Sequence, residues 1–278
     1  LAVKGLLIEE ARTNLYLNSN DLTAANTAVA GVTKSTDGTL GPDGNSLMVK
    51  VLANSGGWVH EIYQSFTVTS GTAYASSIFV KKGNYRYVAI SFEVTSGLDG
   101  FLAVFDLDNP SAATQSFSTG ASTLANYGII NEGGGIYRIY VAGTAGASGT
   151  GYLLAHLVSG ATIPTGTVEP TNFVAAGTEY AYFFGGQFEV GLFPTSYIPD
   201  AAAAVTRAAD ALAAALYSSN PSILQVRNLS TGVRSRKKLT TFSSVSSELN
   251  EWIEAFRVYP VGTSSAYLDA HLTVDGSW

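Results

Sequence analysis

Apolar and polar side chains alternate with a period of two along YVAISFEV at 87–94. Val88, Ile90, Phe92 and Val94 fall on one face, and Tyr87, Ser91 and Glu93 on the other. That spacing suits a strand with one face against a core, whereas the apolar positions of a helix recur every three to four residues. Comparable runs occur at 46–52, 61–68, 74–81, 101–107, 136–142, 152–158 and 179–190, separated by turn clusters such as Pro42-Asp43-Gly44, SGLDG at 96–100 and Gly133-Gly134-Gly135. A parallel sheet needs crossover helices between its strands, and no helical pattern long enough to supply one occurs between 40 and 190. The expected fold is mainly β, an antiparallel β-sandwich of jelly-roll type, with a smaller α+β segment after it.

The chain can bury a real core: 46% of its 278 residues are hydrophobic and only 13% charged, a balance that disordered chains do not have. Fifteen basic against 21 acidic residues leave a net charge of -6, which argues against a nucleic-acid-binding surface spread over the molecule. No window approaches the roughly 18 consecutive apolar residues of a membrane span, so no membrane insertion is expected. Without cysteine there is no disulfide, zinc finger or thiol nucleophile.

The pattern divides the chain into a sandwich over 1–199, an alanine-rich stretch at 200–217 and an α+β segment over 218–278. Alanine has the highest helix propensity, and Asp200 or Thr206 can cap a helix there; an extended linker is the competing reading. Farther on, Arg227, Arg234, Arg236, Lys237 and Lys238 form a basic run suited to a subunit contact, and Leu249, Trp252, Ile253 and Phe256 have the spacing of one helix face.

Catalytic signatures are missing from the sequence. Asp106 and Asp108 stand two apart, as a glycosidase pair could, but Asp106-Leu107-Asp108-Asn109-Pro110 reads as a strand running into a turn, where Asp and Asn bond their own backbone. The oxygens of Asp106, Asp108 and Asn109 are also the hard ligands a structural calcium takes. His60, His156 and His271 are far apart and lack cysteine partners, so each is read as structural rather than as a zinc ligand. No Gly-x-Ser-x-Gly elbow is present, and no catalytic residue is assigned. Binding is better supported. A sugar site wants a flat ring against C–H faces, with polar groups around it. Trp58 follows the loop-like Asn54-Ser55-Gly56-Gly57 and is close to Tyr63 and Gln64, while Tyr85 and Tyr87 flank Arg86 at another strand end. These six are the candidate glycan contacts. Glu9, Glu10 and Arg12 near one end of the sandwich, with Glu189, Arg207 and Asp210 near the other, are expected to form cross-pairs that clasp its first and last strands.

Two stretches also carry a resemblance: GLLIEEARTNL at 5–15, and QFEVG at 187–191 followed by PTSYIP at 194–199 and TRAAD at 206–210. They resemble the bracketing motifs of tailed-phage and prophage head-spike, head-fibre and tail-fibre proteins, in which they flank a carbohydrate-binding-module-like jelly roll. Such a resemblance covers about 5–210 and implies a non-enzymatic protein at the surface of a virion, binding host cell-surface polysaccharide, contacting other capsid or tail proteins and assembling as a homo-oligomer, commonly a trimer. Family members carry sequence before the first motif, so a beginning at Leu1 implies an upstream segment, and 211–278 matches no continuation. A decoration protein without sugar binding is the alternative, and a glycan-degrading enzyme the third reading.

Overall fold

The computed structural model describes residues 9–94, 97–200 and 202–209, together with the backbone of three strands farther along the chain. The chain divides into two compact units, Ala11–Ala208 and the remainder. Strands are numbered β1 to β19 along the chain.

The first unit contains two six-stranded antiparallel sheets. One comprises β2 (Ala28–Ala30), β6 (Glu61–Val68), β8 (Tyr87–Val94), β9 (Asp99–Asp106), β10 (Ala113–Thr119) and β13 (Gly149–Leu157), in the order β10-β9-β8-β13-β6-β2. The other comprises β3 (Val32–Ser35), β4 (Val49–Ala53), β7 (Ala73–Lys82), β11 (Thr123–Gly133), β12 (Ile136–Thr144) and β15 (Tyr180–Val190), in the order β11-β12-β7-β15-β4-β3. Two short ribbons complete it, β1 (Arg12–Asn14) with β16 (Val205–Arg207) and β5 (Gly56–Trp58) with β14 (Phe173–Ala175). All eight strand runs expected from the alternation are strands, and the sheets pack as the layers of a jelly-roll-like sandwich.

The core lies between the sheets. Val88, Ile90, Phe92 and Val94 of β8 meet it as the period of two requires, beside Phe101, Ala103 and Phe105 of β9 and opposite Ile78 and Val80 of β7 and Phe183 and Phe188 of β15. A column of stacked rings runs through it: Phe66 on Phe188 at 4.2 Å, Phe188 on Tyr74 at 5.1 Å, Tyr74 on Phe92 at 5.8 Å and Phe92 on Phe101 at 4.8 Å between centroids. Each such ring contributes roughly 2 to 3 kcal/mol by leaving water.

The outer faces are covered too. Val158, Ile163 and Val168, from the segment between β13 and β14, pack on Ala89, Leu102 and Val104 of the first sheet. Across the second sheet, Tyr197 packs its ring edge-on to Phe79 at 5.3 Å. Two of the three residues that alternation assigns to the wet face of β8, Ser91 and Glu93, are therefore buried on the side of the Val158–Val168 cover, and Tyr87 is half-buried.

Alanine-rich 202–209 is not helical. Val205–Arg207 is β16, paired with β1, because the two strand ends gain backbone partners that a lone helical turn could not match. The second unit holds β17 (Ser222–Asn228) between β18 (Arg234–Leu239) and β19 (Leu268–Thr273), all antiparallel. Those three strands are what is described of the expected α+β segment; residues 210–217 and the expected helix at 249–256 lie outside the described residues. The basic run falls on β17 and β18.

Candidate functional site

Trp58 ends β5, and its Cα partner across the ribbon is Phe173. The indole is 66% exposed, and Val174, opposite Gly57, stands out beside it. The ribbon is pinned from beneath by His60, whose Nε2 is 3.3 Å from the Gly56 carbonyl oxygen and 3.2 Å from that of Phe173, while Nδ1 is 2.7 Å from the Gly31 carbonyl oxygen. The expected structural role of this histidine has a concrete form: its ring sits within hydrogen-bond reach of three backbone carbonyls.

Phe173 connects the ribbon to the turn before β8. Its buried ring stacks on Tyr85 at 5.0 Å, and Tyr85 meets Tyr87 edge-on at 6.3 Å. The Tyr85 hydroxyl donates to the Val158 carbonyl at 2.8 Å, and burial first, then Glu179 and Tyr87, raise it to about 12, so it stays a neutral donor. Arg86 lies over the Tyr87 ring, 4.8 Å from its centroid. Three of the six candidate glycan contacts, Tyr85, Arg86 and Tyr87, thus meet one another, and Phe173, the Cα partner of Trp58, joins them to the ribbon.

The other two do not join them. Gln64 shares the inward face of β6 with Ile62 and Phe66, and it is buried, accepting from the Leu17 N–H at 2.7 Å and donating to the Leu17 carbonyl at 3.1 Å. A period of two makes this inevitable once Ile62 faces the core, so Gln64 braces the chain after β1 and is withdrawn as a ligand contact. Tyr63, on the opposite face, packs edge-on to Tyr152 at 5.9 Å.

Asp106, Asp108 and Asn109 adjoin the aromatic surface. The Asp106 carboxylate pairs with Arg86, accepting from Nε at 2.7 Å, and also accepts from the Asp108 N–H at 3.0 Å and the Asn109 amide at 3.2 Å. Asp108 lies 3.3 Å from Arg86 Nε and also pairs with Lys82. The Arg86 hydrogen bond holds the Asp106 carboxyl well below the usual carboxylate range. Two cationic side chains thus occupy the positions from which a calcium would approach, and an ion would have to displace them; among the described residues no three His, Asp or Glu side chains converge as a metal site.

At the ends of the sandwich, β1 and β16 pair with Arg12 opposite Arg207, and the Thr13 and Thr206 hydroxyls bond at 2.8 Å. The Arg12 guanidinium lies over Phe193, 5.2 Å from the ring centroid. Glu189 is buried and closes its own turn, accepting from the Thr195 N–H at 3.0 Å and hydroxyl at 2.6 Å. Glu9 and Glu10 lie just before β1, and Asp210 lies outside the described residues. Another tie is one the charges do not reveal. Asn14 donates to the carbonyls of Gly186 (3.3 Å) and Ile198 (2.9 Å) and accepts from the N–H groups of Tyr16 (3.0 Å) and Phe188 (3.1 Å).

A further polar constellation is invisible in the linear sequence. Ser91, His156 and Glu61 lie on β8, β13 and β6, three adjacent strands, with Ser91 Oγ 2.8 Å from His156 Nε2 and His156 Nδ1 2.9 Å from Glu61 Oε2. All three are buried. Glu93, one alternation beyond Ser91, is 6% exposed, and its buried Oε2 has no hydrogen-bond partner. Burial first, then Glu169 and Glu61, push Glu93 up to about 8. Glu169 is raised by burial and by Glu61 as well. The order serine, histidine, carboxylate is that of a hydrolytic triad. However, β8 lies between β9 and β13, so its N–H groups serve the ladders on either side, which leaves Ser91 without the free donor pair an oxyanion requires. Thr167 and Val168 hold the cover down by bonding the Gly97 carbonyl, each at 3.0 Å, and Gln115 bonds the Ile163 backbone in both directions. Chemically the constellation is a buried brace, with the raised carboxyl of Glu93 beside it. No model of a known protein family matches the chain, and no curated protein matches it.

Proposed function

We propose that the sandwich is a non-enzymatic binding module that presents its Trp58 end to polysaccharide on a host cell surface, as part of a phage spike or fibre. The observation that carries this reading is Trp58 itself: a large flat side chain, 66% exposed, on a ribbon whose other strand sets Phe173 against Tyr85. An exposed indole offers a sugar C–H face something to stack on, and the part-exposed Arg86 and Asp108 supply rim hydrogen bonds. Single-site affinity of such a shallow surface is modest, and many copies on one particle would raise it without any new contact. The location on a virion and the other virion proteins as partners rest on the two bracketing motifs.

The test is a glycan array probed with the full chain and with Trp58→Ala. Saturable binding to a subset of glycans that falls at least tenfold in the variant supports the reading, whereas equal binding by both proteins overturns the assignment of the site. No binding to any array glycan or to host polysaccharide would favour a decoration protein, and release of shortened glycan products would favour an enzyme.

A further inference from the structure

We propose that β11 is a self-association edge, pairing antiparallel with β11 of a second copy about a twofold axis. The two flanks of the sandwich are built differently. At one, the edge strands β2 and β3 have three and four residues, and β3 carries Lys34. Short strands and lysine are the usual devices that keep an edge from recruiting another chain. At the other flank the edges are β10 and β11, seven and eleven residues long, and no charged residue occurs from Asn109 to Asn131. β11 pairs with β12 alone, so its outer backbone groups have no strand partner among the described residues.

The second copy is the occupant that fits. A chain of net charge -6 meets like charge in most contacts with itself, and this flank carries one acidic residue, Glu132 near the end of β11, which either register sets opposite an uncharged residue of the copy. An antiparallel edge is also self-complementary, since a twofold axis normal to the sheet sets the strand against its own image. The register is constrained. β11 shifts against β12 at Leu124/Asn126 and again at Asn131/Gly133, leaving Asn126–Asn131 as the regular stretch. Opposed side chains must share a face, so the axis passes through Gly128 or Ile129. Centred on Gly128, Tyr127 meets Ile129 of the copy, an aromatic and β-branched pair of the kind that stabilises sheets. Tyr127 and Ile130 are each 44% exposed in the single chain. At roughly 10 Å of width and ~20 to ~37 Å of length the paired strip covers about 200 to 370 Å², below the ~800 Å² per partner of a standard interface, so the dimer is a weak one held mainly by backbone pairing. The twofold geometry departs from the threefold assembly implied by the resemblance, and it does not depend on sugar binding.

Sedimentation equilibrium and light scattering on the full chain, from low to high micromolar, test this with Ile130→Lys and with Tyr127→Lys. The expected result is a dimer whose dissociation constant rises at least tenfold in each variant while the melting temperature of the variant monomer stays that of the wild-type monomer. Amide exchange supplies an independent readout, with protection at 126–131 that grows with concentration in the wild type. A wild-type chain that is monomeric throughout, a trimer, or a dimer indifferent to both substitutions with no concentration-dependent protection at 126–131 would each overturn the proposal.

Discussion

Replacing Glu93 by glutamine probes the buried brace directly. In the folded chain this carboxyl is raised from 4.5 to about 8, by burial above all and then by Glu169 and Glu61. Between those two values the unfolded chain is ionised at this position and the folded one is protonated, so folding takes up a proton. Stability from Glu93 is therefore complete below 4.5, declines as pH rises and levels off above about 8. The full span corresponds to about 5 kcal/mol, of which about 3 kcal/mol is lost by pH 7. Glutamine keeps the shape and has no proton to take up. Glu93→Gln should thus match the wild type near pH 4.5 and exceed it at pH 7 by about 3 kcal/mol, or about 6–12 °C in melting temperature for a unit of this size. Thermal melts of both proteins at half-unit steps from pH 4.5 to 9 are the assay. A pair of parallel curves, with the variant no better at pH 8 than at pH 5, would refute the reasoning, because it would mean that Glu93 ionises in the folded chain without cost.

Other substitutions follow from the same geometry. Asn14→Ala strands two carbonyls and two N–H groups in a buried site and should cost about 3 to 5 kcal/mol in chemical denaturation. Ser91→Ala removes the partner of His156 Nε2 and should cost about 1 to 3 kcal/mol, measurable in the same titration. Arg86→Ala should lower the melting temperature at pH 7, with the difference shrinking as pH falls below 3.8, because the held-down Asp106 carboxylate contributes stability that is lost on the acid side. Trp58→Ala, at an exposed position, should leave stability within about 0.5 kcal/mol of wild type, so that any loss of glycan binding reads as a loss of contact.

The sheet strands with strong apolar alternation were legible because each carries its own signal. β10 and β11 were not: their mix of serine, threonine, asparagine and glycine around Phe117 and Leu124 gives little apolar contrast, and they are strands because β9 and β12 supply the ladder. The burial of Ser91 and Glu93 was hidden for another reason. It depends on the segment after β13 folding back over the sheet, which no local pattern announces. The exposure of Trp58 was legible from its loop-like surroundings, whereas the burial of Gln64 was not, since proximity in a strand says nothing about face unless parity is counted. The Ser91, His156 and Glu61 contact needed the strand order β8-β13-β6, information that exists only after the long connections close. Alanine propensity at 202–209 yielded to the partner offered by β1.

The pairing of β1 with β16 fixes where the polypeptide joins and leaves the sandwich. Arg12 and Arg207 are opposite one another, so the two chain crossings lie side by side, within about 5 Å at the Cα atoms. Tension along the polypeptide is therefore met first at the Arg12–Arg207 pair, then at Thr13–Thr206, and at Asn14 it passes to β15 through the bonds to Gly186 and Phe188. A body attached in this way hangs beside the line of force, and it can keep its shape while the chain that carries it is pulled.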